Sequence, residues 1–212
     1  MRRDGDGDGA RMTNQRDYAN LINILNKRFG KDYTQQWKNI LIYMEGFGHG
    51  IPIIQREWPN SAITIYARKP VADWQGTIPL TMDLLDPVPA YDLILCVNIV
   101  NTLLPEDRQA LIQATYNRLL PDGYMVVVAP SWYAQVNKQL TKNARPAAEH
   151  HALHIPRVGG KVDPTTTTYQ KGYDFLELLL EIEWYLTPFD INAHQLPTRG
   201  PNAVYVRKGK AL

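Results

Sequence analysis

The sequence predicts a three-layer α/β domain with a mostly parallel sheet, and three observations predict it. Apolar strand patterns alternate with helical ones along most of the 212 residues. A glycine-rich turn, Gly46-Phe-Gly-His-Gly50, stands between the first strand pattern and the helical pattern after it. The last two strand patterns have no helix between them, so they are expected to pair as an antiparallel hairpin and reverse the end of the sheet.

Taken in order, residues 1–13 are rich in Gly and Asp and hold almost nothing to bury. A disordered leader is expected there, and the domain itself over 14–212. Asp4-Gly-Asp6-Gly-Asp8-Gly9 places oxygen ligands at alternate positions, as a calcium loop does, but Gln15 stands where the twelfth-position Glu is needed. From Asn14 to Phe29, Tyr18, Leu21, Ile22, Leu25 and Phe29 recur at spacings of three and four, a helix that Gly30 ends. A short segment follows to Trp37-Lys38. Asn39–Met44 reads as a buried strand running into Glu45 and the glycines. Ile51 through Trp58 suits a helix, with Pro52 tolerated in its first turn. Ala62–Ala67 is a β-branched strand, and Thr77–Thr81 a poorer one, placed at an edge by Pro79. Tyr91–Val97 is apolar on both faces, as a central parallel strand should be. A helix from Pro105 runs through Leu111, Ile112, Thr115 and Leu119. Pro121-Asp-Gly123 reads as a turn before the strand Tyr124–Ala129. Residues 131–171 read as an irregular basic insertion, with Lys138, Lys142, Arg145, Arg157, Lys161 and Lys171 against only Glu149 and Asp163. A helix over Tyr173–Leu180 and strands at Glu183–Thr187 and Ala203–Arg207 close the chain.

Lys plus Arg is 23 and Asp plus Glu is 21, a balance unsuited to coating nucleic acid or acidic membrane. Cys96 is the single cysteine, which excludes a disulfide framework and a Cys-based zinc site. Its place inside a central strand makes it a buried structural thiol. No apolar run approaches the roughly 20 residues that span a bilayer, so no membrane association is expected and a cytoplasmic location is.

Glycines between a first strand and a helix let the backbone approach a ligand, and such folds bind nucleotides there. A dinucleotide loop wants G-x-G-x-x-G, but Ile51 holds its third glycine position. Arg68, at the end of the second strand, stands where a basic residue accepts the extra phosphate of NADP. An NADP-binding oxidoreductase is therefore one alternative.

Over residues 15–209 the chain resembles the class I S-adenosylmethionine-dependent methyltransferases. Ile42 through Gly50 is similar to the family's first motif, Met82-Asp83-Leu84-Leu85 to its third, and Tyr91 through Leu103 to its fourth strand and following loop. Leu119 through Val128 resembles its L-x-P-G-G turn and fifth strand. The resemblance implies a Rossmann-like fold with a reversed last strand and S-adenosylmethionine as cofactor. Glu45, Gly46, Gly48 and Gly50 would hold the methionine end, Asp83 and Leu84 the adenine, and Asn98 the site floor. Two departures stand against it. The acid expected two residues before the first glycine is Met44, with Glu45 one residue late, and a one-residue shift in a strand turns the side chain to the other face. The acid that binds the ribose hydroxyls is missing from Tyr66-Ala67-Arg68-Lys69, with Asp73 the nearest substitute. A degenerate, non-catalytic binding module in a protein or nucleic-acid complex is the second alternative.

The place after the fourth strand reads Asn98-Ile-Val-Asn101, not the D/N/S-P-P-Y/W of DNA amino-methyltransferases. The basic 131–171 segment, with Trp132, Tyr133 and Tyr169, suits a nucleic acid or phosphorylated substrate. Glu149-His150-His151-x-x-His154 offers metal-ligand types but reads as polar surface, and no metal is expected. Asn98 through Arg108, with Thr167 through Lys171, is also similar to a methyltransferase-like family encoded beside bacterial DNA phosphorothioation systems. That likeness points toward DNA modification.

Overall fold

The computed structural model describes residues 15–44, 50–67, 77–79, 91–132, 144–156, 167–174, 176–189, 191–198 and 201–209. Helices α1 (Gln15–Phe29) and α2 (Lys31–Thr34) lead into strand β1 (Asn39–Met44), helix α3 (Ile51–Glu57), β2 (Ala62–Ala67) and β3 (Thr77–Pro79). Then come β4 (Tyr91–Val97), a 3-10 turn (Val100–Thr102), α4 (Pro105–Asn117) and β5 (Leu119–Ala129). Strands β6 (Arg145–Pro146), β7 (Ala152–Pro156) and β8 (Thr167–Lys171) precede α5 (Glu177–Leu186), β9 (Ala193–Leu196) and β10 (Asn202–Arg207).

Among the described residues the main sheet has seven strands in the order β3-β2-β1-β4-β5-β10-β9. The first five run parallel, and β10 runs antiparallel to both β5 and β9. Alternation along the strands makes two cores. Ile40, Ile42, Leu93, Leu95, Val97, Val126 and Val128 pack with Tyr18, Leu21, Ile22 and Leu25 of α1 and Ile54 of α3. Leu41, Tyr43, Ile94, Cys96, Met125 and Val127 pack with Leu111 and Ile112 of α4 and Leu178 and Ile182 of α5. Period-two side chains between helices on both faces are the three-layer arrangement that the alternation predicts. β3 lies at one edge, as Pro79 predicts.

Five sequence expectations are corrected, two of them at helix ends: α4 stops at Asn117 rather than running through Leu119, and α5 starts at Glu177 rather than Tyr173. Residues 131–171 are not irregular throughout: β6, β7 and β8 form a second, antiparallel sheet, with Ala152 opposite Lys171 and His154 opposite Tyr169. Pro146 and Pro156 end these strands and shorten their pattern. The stretch Glu183–Thr187 is not a strand, because α5 continues to Leu186. Its buried residues Leu178, Ile182, Tyr185 and Leu186 recur at helical spacing, so packing overrides the β-preference of Trp-Tyr-Leu-Thr. The strand before the last is Ala193–Leu196, and the closing hairpin joins it to β10 across residues 197–201. Pro121-Asp-Gly123 lies inside β5, as a bulge rather than a turn before it. Tyr91 faces Leu119 but Leu93 faces Tyr124, so four residues of β5 stand against Asp92 alone. Asp122 takes a left-handed φ of 65° there, and a Cβ on Gly123 would come within 2.9 Å of the Leu120 and Tyr91 carbonyls. β10 seals the bulge, with Asp122 N donating to the Lys208 carbonyl at 3.0 Å.

Candidate functional site

The chain leaves β1 toward β2 and β3, then returns on the other side of β1 to make β4. The carboxyl ends of β1 and β4 therefore diverge at a topological switch point, where open α/β sheets take ligands. Of the seven residues the sequence places at this site, Gly50 and Asn98 are described; Glu45, Gly46, Gly48, Asp83 and Leu84 lie outside the described residues. Arg68 and Asp73 lie outside them as well.

Asn98 follows β4 directly. Its backbone N–H donates to the Val128 carbonyl at 2.9 Å, extending the β4–β5 ladder by one residue. It then takes a left-handed φ of 52°, a conformation Asn adopts more readily than most residues. That turn sends the chain along the sheet edge into the 3-10 turn. Asn101 there is only 5% exposed, and its Oδ1 has no hydrogen-bond partner among the described residues.

Gly50 begins α3 and accepts the Ile53 and Ile54 N–H groups at 3.1 and 3.0 Å. A Cβ at this position would stand 2.1 Å from the ring of Tyr18, so α1 can lie against the start of α3 only if residue 50 is glycine. This packing role was not legible beforehand. On the opposite face of the sheet Cys96 is fully buried, and burial pushes its thiol up to about 12. A thiol so protonated is no nucleophile, which agrees with the structural role expected for it.

Beyond β5 the small sheet is fastened by buried ions. Arg108, on the first turns of α4, is 1% exposed; Lys171, at the end of β8, is 4% exposed. Arg108 pairs with Glu149 and with Glu181 of α5, the latter at 2.7 Å, and donates to the Leu103 carbonyl at 2.8 Å. Lys171 Nζ lies 2.6 Å from Glu149, 3.0 Å from Glu177 and 3.0 Å from Glu181. The hydroxyls of Tyr173 and Tyr185 donate to Glu181 at 3.2 and 3.0 Å, and that of Tyr169 to Glu149. Burial alone would push Lys171 down. Its hydrogen bond to Glu149 and the charge of Glu181 outweigh that and hold it well above the ordinary lysine value. Burial alone would raise Glu149, but hydrogen bonds from Lys171 and Tyr169 and the charge of Arg108 hold it below the usual carboxylate value. Lys171 and Glu149 are therefore ionised together near neutral pH. Segments 98–108 and 167–171 meet here, where Arg108 and Lys171 both pair with Glu149.

This network changes the reading of the basic segment. Lys171 is spent on three glutamates rather than presented to solvent. Trp132 stacks on His151 at 4.9 Å, and Tyr169 is engaged by Glu149. Lys138, Lys142, Arg157, Lys161 and Tyr133 lie outside the described residues. The sequence missed the network because its charged members are scattered over 74 positions, from Arg108 to Glu181.

No family model matches the chain, and no curated protein does. The likeness to phosphorothioation-associated proteins finds no support there. Solved structures do match. The 1,6-didemethyltoxoflavin-N1-methyltransferase of Burkholderia thailandensis, solved with 1,6-didemethyltoxoflavin and S-adenosylhomocysteine, has a TM-score of 0.58. It is 12% identical over 92% of this chain and 78% of its own. An S-adenosylmethionine-dependent methyltransferase from Clostridium acetobutylicum ATCC 824 has a TM-score of 0.58 at 13% identity, over 91% of this chain and 92% of its own. The fold is that of the class I methyltransferases. Human N-acetylserotonin methyltransferase, solved with S-adenosylmethionine, shares it at a TM-score of 0.52 and 13% identity. This chain spans 57% of that protein's length, with 92% of its own covered. At these identities the methyltransferase likeness is one of fold.

Proposed function

We propose that this chain binds S-adenosylmethionine at the carboxyl edge of β1 and β4 and directs its methyl group to an acceptor. The observation that carries this reading is the strand order with a reversed β10, in a fold shared with proteins solved with S-adenosylmethionine or S-adenosylhomocysteine. The described residues fit such a ligand in one respect and depart in another. The chain turns left-handed at Asn98, the carboxyl end of β4 beside β1, where this reading puts the ligand. Against it, β2 closes on Tyr66-Ala67, which offer no carboxylate for the ribose hydroxyls among the described residues; Asp73 lies outside them. When bound, S-adenosylmethionine supplies a methyl group on a positively charged sulfur. In this reading Glu45, Gly46, Gly48 and Gly50 hold its methionine end, Asp83 and Leu84 the adenine, and Asn98 the floor. Beyond that, the chain orients the acceptor and excludes water, since alignment supplies much of the rate of such a transfer.

A second reading, a non-catalytic binding module, is favoured by Gly50, which the contact with Tyr18 requires whether or not a cofactor binds. Calorimetry on the full chain with S-adenosylmethionine, S-adenosylhomocysteine and NADP separates the readings. Heat with the first two and none with NADP is the expected result. Heat with NADP alone would replace the proposal by an oxidoreductase, and no heat with any by the module. The acceptor's proposed relation to nucleic acid rests on the basic residues of 131–171 other than Lys171. Titration of a labelled DNA duplex should give binding that weakens as salt rises from about 50 to 200 mM. Absence of binding at the lower salt would remove nucleic acid from the proposal.

A further inference from the structure

The sequence run Glu149-His150-His151-x-x-His154 does not act as one set. Glu149 turns to Arg108 and Lys171, and His154 packs against the Tyr169 ring at 5.9 Å. His150 and His151 instead meet Glu177, with one ligand atom from each within 4.8 Å of the others. From these positions we infer a binding site for a divalent transition-metal ion of the zinc type, made by His150, His151 and Glu177.

The geometry supports it at each residue. His151 takes a left-handed φ of 56°, costly for a side chain with a Cβ, and the two adjacent imidazoles lie with their centroids 3.6 Å apart. His151 Nδ1 stands 3.2 Å from Glu177 Oε2. Ligands about 2.0–2.1 Å from a tetrahedral zinc ion stand ~3.3 Å from each other, so this pair already has the edge length of such a site. Rotation of the exposed His150 side chain by at most ~1.5 Å completes the triangle and leaves the fourth position to solvent. Outer partners hold the ligands. Trp132 stacks on the His151 ring at 4.9 Å. Lys171 takes the other oxygen of Glu177 at 3.0 Å, and the Asp174 N–H donates to Oε2 at 3.1 Å.

Charge gives an independent argument. Among the described residues, the connected cluster sets two cations, Arg108 and Lys171, against four carboxylates, Glu149, Glu177, Glu181 and Asp174. Counted without the imidazoles, the four carboxylates outnumber the two cations, and two of the carboxylates, Glu177 and Asp174, stand beside His151. A divalent cation bound there offsets that excess. Ligation through His151 Nδ1 uses the neutral tautomer that carries its proton on Nε2, and the ion clasps the turn before β7 to the start of α5.

The test is titration of the untagged, metal-stripped full chain with zinc chloride, followed by calorimetry, and with cobalt chloride, followed by visible absorption. One equivalent of zinc should bind, raise the Tm, and give cobalt bands of tetrahedral intensity. His150→Ala, an exposed position whose loss spares the fold, should weaken binding about tenfold or more and remove the Tm shift. His154→Ala, in the same segment but outside the triangle, should leave both unchanged. Glu177→Gln should weaken binding as His150→Ala does. The inference is overturned if the unaltered chain binds no zinc. It is equally overturned if His150→Ala binds as the unaltered chain does, or if His154→Ala weakens binding as much as His150→Ala.

Discussion

Ile94, Leu95, Val126 and Val127 tie the main sheet to its helices through apolar contact alone, whereas the small sheet docks on α4 and α5 through Arg108, Lys171 and three glutamates. Apolar packing is non-directional and tolerates a change of shape at similar volume. A buried ion network does not, because each charge left without its partner bears the full cost of its desolvation. One chain thus joins a tolerant seven-stranded frame to a three-stranded appendage whose seating depends on a few side chains. The appendage sits against the 3-10 turn after β4, the part of the carboxyl edge that carries Asn101.

The largest expected effect breaks the ionic side. Arg108→Met leaves Lys171 as the one cation among the described residues facing Glu149, Glu177 and Glu181, and should cost ~3–5 kcal/mol in urea unfolding. Arg108→Lys should recover little of it, since an ammonium cannot reproduce the fork that reaches Glu149, Glu181 and the Leu103 carbonyl. On the apolar side Leu95→Ala should cost ~2–5 kcal/mol through the cavity it leaves. Leu95→Met should cost less than ~1.5 kcal/mol. If the two conservative changes cost the same, the contrast between the regions fails.

Gly50→Ala drives a methyl group into the Tyr18 ring and should cost ~1–3 kcal/mol. Paired with Tyr18→Ala it should cost less than the sum of the two, and full additivity would show that the ring does not rest on Gly50. Alkali probes the frame differently. The Cys96 thiol is raised from its ordinary value near 9 to about 12, and burial likewise raises Tyr124 to about 12. Native groups that hold their protons longer than unfolded ones stabilise the fold below the unfolded pKa. Stability should therefore be intact at pH 8 and fall as pH rises from about 9 toward 12. Cys96 should stay unreactive toward a thiol reagent at pH 8 until urea unfolds the chain. Smallest of all, Arg207→Ala removes a solvent-facing bridge to Asp122 and should cost ~0.2–1 kcal/mol.

What the sequence made legible divides along the same line. β1, β2, β4 and their helices could be read because Leu93, Leu95 and Val97 alternate with Ile94 and Cys96, and because Tyr18, Leu21, Ile22 and Leu25 keep a helical period. The small sheet could not. Its strands are short, bounded by Pro146 and Pro156, and held by ion pairs between residues far apart in the chain. Glu183–Thr187 misled for another reason, since Trp184 and Tyr185 favour strands until the burial of Ile182 and Leu186 is known. Of the site, the sequence placed Asn98 at the carboxyl end of β4, where the structure puts it. It offered no sign that Gly50 answers to Tyr18.

The most direct test of the proposed function is the affinity for S-adenosylhomocysteine, measured on the full chain, on Gly48→Val and on Ala67→Asp. A lost charge-assisted hydrogen bond weakens binding by roughly 1.5–3 kcal/mol, so the unaltered chain should bind at about tens of micromolar. Gly48→Val should abolish binding, and Ala67→Asp should tighten it by restoring an acceptor at the end of β2. Equal or absent binding in all three proteins would contradict the account and leave the methyltransferase fold as a scaffold without its cofactor.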